Sequence, residues 1–380
     1  MTTLRRLVTA AVLVGGALTT AASASTGAAS AADQPSCSRL QPAAWTGTFT
    51  PGSFTADGLT RGYCLYLPSG GVPAGRPLVV YLHGCNETAE QTAQASHFND
   101  IADRNDFAVL YPQQNLTANS SAPIADGNGV GCWNWFLPED QHRGAGEPAV
   151  IAALTQSVSA AQSVDPARVY VTGVSAGADM AAILAASYPD VYAAAAPIAG
   201  CAFATCADES GVLAYQEMGA RARVVPMLVE NGSADTLNNM AMAAGLVHGW
   251  LGVDDFADDG AAIGSISRTP ATTNTYDADQ TPQPGSGDDC IHNNTLTCPG
   301  GVAGFQGSYP YTVQTYDDAA GHDVLEFWVI HGMEHAHPDA PGDGPYTDPL
   351  GPDISLASYC FFAAHPMSGA PVTPEGCPAR

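Results

Sequence analysis

Gly173-Val174-Ser175-Ala176-Gly177 sets a serine between two glycines, each two positions away. A serine hydroxyl is a weak nucleophile, so it needs a base to take its proton and a group to orient that base. The pentapeptide follows the β-branched run Arg168-Val-Tyr-Val-Thr172 and opens the Ala-rich stretch from Ala176 to Ser187. Strand, turn and helix in that order make a nucleophile elbow: the turn lifts the hydroxyl above the sheet, and the glycines permit close packing. The helix N-terminus behind it favours the negative charge of an oxyanion. An ordinary strand-to-helix turn with a buried serine is the bland alternative, and the flanking pattern argues against it.

The acid and the base should come later in the chain, in the order Ser, Asp or Glu, His. Val224-Val-Pro-Met-Leu-Val229 reads as a strand leading into Glu230-Asn-Gly-Ser-Ala-Asp235, and Asp235 is placed to reach a histidine across the sheet edge. Glu230 and the Asp254/Asp255 pair compete for that role. A further strand, Val324 to Ile330, runs into His331-Gly-Met-Glu-His335-Ala-His337-Pro338. Only one of these histidines can be the base. His335 is the choice, His337 the alternative, and His331, at the strand's end, has a structural role. His331 to His335 also matches H-x-x-E-H, a zinc-protease pattern, but that pattern needs a helix, and here Gly332 and Pro338 flank it just after a strand. No metal site is expected. The oxyanion would be met by the backbone N–H groups of Cys85, in His83-Gly84-Cys85, and of Ala176. One such donor typically contributes about 3 kcal/mol of transition-state stabilisation.

Positioning these groups requires alternating elements. Pro77-Leu-Val-Val-Tyr-Leu82 is a continuous apolar run of the kind a buried parallel strand shows. Residues 87–105 read as helical, Phe107 to Tyr111 as a strand stopped by Pro112, and Glu147-Pro148 as a helix start. Ala193 to Ala199 supplies another strand. The βαβα order predicts an α/β fold with a mostly parallel central sheet and helices on both faces. Two stretches break it, Asn115 to Val130 and a longer insertion at about 252–307. The insertion's runs Asp254-Asp255, Asp258-Asp259 and Asp277-Ala-Asp279 lack the glycine and glutamate spacing of a calcium loop and read as solvated acidic loop.

A formal charge of −25, from 37 acidic against 12 basic residues, excludes a general nucleic-acid binder and argues against docking on anionic membranes. Arg5-Arg6, the apolar core Leu7 to Leu18 and the small residues that follow mark residues 1–32 as a signal peptide and processed segment. Residues 33–380 then form a single catalytic domain in a secreted, extracellular protein. Ten cysteines without paired zinc spacing favour disulfides. Short separations suggest Cys201–Cys206, Cys290–Cys298 and Cys360–Cys377. Cys85–Cys132 would be a long-range tie, leaving Cys37–Cys64 by elimination.

Leu82-His-Gly-Cys-Asn, Gly131-Cys-Trp-Asn-Trp135, Arg143-Gly-Ala-Gly-Glu-Pro148, Asp165-Pro-Ala-Arg-Val-Tyr-Val171 and the Ser175 elbow together resemble the ordered motifs of extracellular polyhydroxybutyrate depolymerases and their esterase relatives. The resemblance is dense from about Arg76 to Ala199 and returns at His335 and at Tyr346 to Asp353. It implies the α/β-hydrolase fold, Ser175 as nucleophile, Asp235 as acid, His335 as base and Cys85 as an oxyanion donor. It also implies that Cys85 pairs with Cys132. Departures lie in Glu334, where the family usually has Gly, in His337, where it has Trp, and in the insertion, which has no counterpart. No cofactor is implied. The expected substrate is a poly(3-hydroxyalkanoate) or its oligomers, with a feruloyl or acetylxylan esterase of plant polysaccharide as the alternative and an inactive binding protein as the remote one. Trp133 and Trp135 are candidates for an aromatic substrate platform, with core packing beside a disulfide as the competing role.

Overall fold

The computed structural model describes residues 35–38, 45–116, 127–276, 309–339 and 346–378. In chain order the elements are β1 (Thr48–Ala56), β2 (Leu59–Leu67), β3 (Leu78–Leu82), α1 (Ala89–Ala95), α2 (Phe98–Asn105), β4 (Ala108–Gln113) and α3 (Gly146–Ala161). Next come β5 (Val169–Val174), α4 (Ala176–Ser187), β6 (Ala194–Ile198), the short α5 (Phe203–Cys206), α6 (Val212–Met218), β7 (Met227–Gly232) and α7 (Met240–Asp259). The last are β8 (Thr272–Tyr276), β9 (Tyr311–Asp317), β10 (Asp323–Ile330), the two-residue β11 (His337–Pro338) and β12 (Thr347–Asp348), and α8 (Ile354–Ala364).

Among the described residues ten strands form one sheet in the order β1-β2-β4-β3-β5-β6-β7-β10-β9-β8. Its centre, from β4 through β3, β5, β6 and β7 to β10, is parallel. Antiparallel strands close both flanks. Side chains alternate between two layers, as strand geometry demands. Leu78, Val80 and Leu82 pack with α3, α4, α6 and α7, whereas Val79 and Tyr81 pack with α1, α2 and α8. Both faces of the central strands are therefore covered, and this is why they read as unbroken apolar runs. The strand order reverses at β3, with β4 on one side and β5 on the other. In open α/β sheets ligands bind beyond the carboxyl ends of the strands at such a point.

Three expectations change. The insertion does not begin as a loop, because residues 252–259 complete α7. Gly245, Gly249 and Gly252 form a smooth stripe on that helix. A Cβ at Gly249 would come within 2.3 Å of the Asp208 carbonyl, and one at Gly252 within 2.1 Å of that of Ser210. Glycines that resemble a loop signal thus serve close packing. The run Asp254-Asp255 is internal rather than solvated. Asp254 accepts the Val225 N–H at 3.0 Å, and Asp255 accepts from Gly264, Ser265 and Ile266. Asp258 and Asp259 are exposed at the end of α7. Third, β4 passes through Pro112 to Gln113. Its pairing with β3 ends at Leu110 while that with β2 continues, so Pro112 needs no donor on the open side.

Disulfides join Cys37 to Cys64, Cys85 to Cys132, Cys201 to Cys206 and Cys360 to Cys377. The signal segment, residues 117–126 of the first loop, Asp277 and Asp279, and the pair Cys290–Cys298 lie outside the described residues.

Candidate active site

Ser175 stands between β5 and α4 with φ +56°, a conformation L-residues rarely adopt and one that concentrates at functional sites. Its N–H donates to the Ile198 carbonyl at 3.0 Å, and its own carbonyl accepts from Ala178 and Asp179. Both glycines of the turn are required on steric grounds. A Cβ on Gly173 would lie 2.6 Å from the Gly177 and Leu82 carbonyl oxygens, and one on Gly177 only 2.1 Å from Leu82 O. The Ser175 side chain remains half-exposed while every residue of α4 behind it is buried.

Asp235 follows β7, and His335 follows β10, the neighbouring parallel strand. Nδ1 of His335 donates to Oδ2 of Asp235 at 2.7 Å across 100 positions of sequence. A carboxylate can only accept, so this bond assigns the imidazole proton to Nδ1 and leaves Nε2 as an acceptor. Oδ1 of Asp235 accepts the N–H groups of Leu237 at 2.8 Å and Asn238 at 2.9 Å, which fixes the carboxylate from the other side. The two loops interlock: Ala234 N–H donates to Met333 O, and a Cβ on Gly232 would lie 2.3 Å from that same oxygen. Ser175 makes no side-chain hydrogen bond among the described residues. The loops after β6 and β7 are tied to each other: Ala199, next to the Ile198 that accepts the Ser175 N–H, donates its own N–H to the Glu230 carbonyl and accepts from the Asn238 side-chain amide. Serine–histidine bonds often tighten only when substrate is bound.

The competing groups stand elsewhere. Glu230 is fully buried in β7, both carboxyl oxygens lack a hydrogen-bond partner among the described residues, and desolvation, then the Asp235 charge, push its carboxyl well above the usual range. Asp254 and Asp255 are engaged on α7, as described. His331 is exposed and bonded to Thr312 at 2.8 Å. His337 is buried against the Pro338 carbonyl, and burial pulls its imidazole down to about 3. Among the described residues no group of three or more His, Cys, Asp or Glu side chains is placed to hold a metal.

The loop after β3 borders Ser175, since a Cβ on Gly84 would lie 3.5 Å from the Ser175 Cβ. The N–H groups of Gly84, Asn86 and Glu87 are all taken within the protein, whereas that of Cys85 is taken by no group among the described residues. Ala176 N–H opens the first turn of α4. The aromatic platform needs correction at one position. Trp133 is fully buried with the His83 ring 5.3 Å away, so it offers no face to a ligand. The cause is a buried ion pair below it: Glu147 takes Arg61 at 3.0 Å and the Asn134 N–H at 2.7 Å, pulling the loop into the core. Trp135 is half-buried. Phe136, 43% exposed and edge-on to Trp135, instead lines a cavity of about 410 Å³ with Phe203, Leu213 and His142.

Burial displaces several titrating groups. Desolvation pushes Glu87 and Asp179 up to about 8 and Asp140, with help from the Glu147 charge, up to about 7. It pulls His83 down to about 4. The carboxyls hold protons when folded that they lose when unfolded. Their contribution is therefore full below the ordinary values of 3.8 and 4.5, and is lost as pH rises through 7 to 8. His83 and His337 act oppositely, being fully stabilising above 6.5 and losing that stability as pH falls toward 4 and 3. Between pH 8 and pH 5 the three carboxyls outweigh the two histidines, because they act over most of that range whereas the histidines lose stability only below 6.5. The thermal midpoint, followed by circular dichroism, is expected to be higher at pH 5 than at pH 8; a lower midpoint at pH 5 contradicts these assignments.

Comparison with known proteins agrees with this architecture. Residues 61–264 match the family model described as Esterase PHB depolymerase. Poly(3-hydroxyalkanoate) depolymerase C of Paucimonas lemoignei is 35% identical over 282 residues, which cover 73% of this chain and 59% of that protein. Feruloyl esterase B of Thermothelomyces thermophilus is 33% identical over 132 residues, 34% of this chain and 41% of its own length. The chain thus spans less than two thirds of the length of either relative. Among solved structures, an acetyl xylan esterase from Aspergillus awamori superposes with TM-score 0.53 at 20% identity, covering 75% of this chain and 94% of that one, a likeness of fold. The family model covers more than half of the sequence, and the chain belongs to the Esterase PHB depolymerase family.

Proposed function

We propose that the protein is a serine ester hydrolase working through an acyl-enzyme. The observation that carries this is the Asp235–His335 bond of 2.7 Å, with Nε2 of His335 taken by no group among the described residues, and it is supported by a serine held at positive φ on a two-glycine turn. Ser175 Oγ attacks the ester carbonyl while His335 Nε2 takes its proton and later passes it to the leaving alcohol. Asp235 stays ionised and orients the ring. The N–H groups of Cys85 and Ala176 receive the oxyanion, and water attacking through the same base releases the acid.

The proposed substrate is a poly(3-hydroxyalkanoate) or its oligomers, supported by the long match to the depolymerase. The second reading, a feruloyl or acetylxylan esterase, is supported by the shorter match to feruloyl esterase B. Four disulfides among the described residues and the relationship to a depolymerase favour an exported protein. The purified chain is expected to clear a turbid suspension of polyhydroxybutyrate granules and to leave feruloylated and acetylated xylan unchanged. Release of ferulate or acetate without clearing would select the second reading.

A further inference from the structure

The turn after β3 holds one peptide unit from two sides. The carbonyl of Gly84 and the N–H of Cys85 belong to the same rigid plane, so whatever fixes the oxygen also aims the N–H. That oxygen accepts a hydrogen bond from Nδ1 of His83 at 2.7 Å. Nε2 of the same ring accepts the Gln114 N–H at 3.0 Å, and the two bonds together define a neutral imidazole with its proton on Nδ1. The ring is fully buried, with Trp133 against it. On the preceding peptide, Gly84 N–H donates to Oε2 of buried Glu87 at 2.6 Å. A Cβ placed on Gly84 would lie 2.8 Å from that Oε2 and 3.5 Å from Cβ of Ser175, so the held turn borders the nucleophile directly.

We propose that His83 and Glu87 are positioning residues that lock the Gly84–Cys85 peptide so that the Cys85 N–H faces the reacting ester oxygen. This rests on the Ser175-centred function proposed above. Neither side chain meets substrate; each acts through the backbone. A donor prealigned in this way costs no reorganisation during the reaction, and a carbonyl that accepts a hydrogen bond polarises its own peptide and strengthens the N–H opposite. Glu87 and His83 hold successive peptides, so rotation about the glycine between them is blocked at both ends. The disulfide from Cys85 to Cys132 tethers the same residue through its side chain.

The test is steady-state kinetics of the full chain on a nitrophenyl butyrate, with folding followed by circular dichroism. His83→Leu and Glu87→Leu remove the two bonds at nearly constant volume and are expected to lower kcat by about 10- to 100-fold, part of the loss typical of a whole oxyanion donor, with KM changed by less than about threefold. Glu87→Gln, which keeps an acceptor, and His83→Asn, whose amide reaches the Nδ1 position, are expected to recover most of that loss. His83→Gln, whose amide reaches the Nε2 position instead, is expected to stay impaired. If the leucine variants do not fold, the Asn and Gln variants at 83 decide, and equal or reversed activities overturn the proposal. It is also overturned by folded leucine variants with unchanged kcat, or by losses that appear only in KM. Ser175→Ala separates the two levels: an active Ser175→Ala removes the function itself, whereas an inactive one beside a flat series at 83 and 87 removes only the clamp.

Discussion

Ser175→Ala is expected to lower kcat for a nitrophenyl ester by about 10⁶-fold while the chain keeps its fold. Both halves follow from the structure. The alanine keeps the backbone at φ +56° and loses only a hydroxyl that makes no side-chain hydrogen bond among the described residues. The acyl-enzyme, however, cannot form without Oγ. His335→Ala should cost about as much, and the double variant little more, because nucleophile and base act as one unit. Residual hydrolysis above the uncatalysed rate would come from binding and the oxyanion donors. Circular dichroism matching the parent together with kcat within tenfold of it would be incompatible with the proposed chemistry.

Asp235→Asn is expected to reduce kcat by about 10⁴-fold with little effect on KM. The reason lies in how this carboxylate is held. Oδ1 already accepts the N–H groups of Leu237 and Asn238, so in the asparagine the amide oxygen is pinned there. The amide nitrogen must then face His335 in place of Oδ2. An N–H donor at that point requires Nδ1 to accept, which moves the imidazole proton to Nε2 and removes the base. Because Oδ1 keeps its two backbone bonds, the thermal midpoint should move little. The pH–rate profile and kcat of the purified variant check this, and near-parental kcat would shift the acid's role to another carboxylate. Glu230 is poorly placed to take it over, since its buried carboxyl oxygens meet no hydrogen-bond partner among the described residues.

Much of the central sheet was legible because its determinants are short-range. Leu78 to Leu82, Val169 to Val174 and Ala194 to Ile198 are unbroken apolar runs, as strands covered on both faces must be. Helix α4 spans the residues its alanine content and elbow indicated. The flanks were less legible. Strands β1 and β2 carry mixed polarity, and β8 is exposed along its whole length, so their identity rests on pairing with a neighbour. Helix α7 was hidden by glycines that admit the 208–210 backbone.

By itself the sequence determined the elbow at Ser175, the parallel centre of the sheet and the family of motifs around them, since each depends on residues within a turn or a strand of one another. Only the tertiary structure decided which of three histidines meets Asp235, that Trp133 is core while Phe136 is surface, and that His83 and Glu87 grip the turn beside Ser175. Those outcomes depend on which strands become neighbours: His335 reaches Asp235 because β10 lies parallel to β7, and Trp133 is buried because Glu147 pulls its loop toward Arg61. Spacing along a chain records periodicity, whereas contact across a sheet edge is set by the packing of elements far apart in sequence.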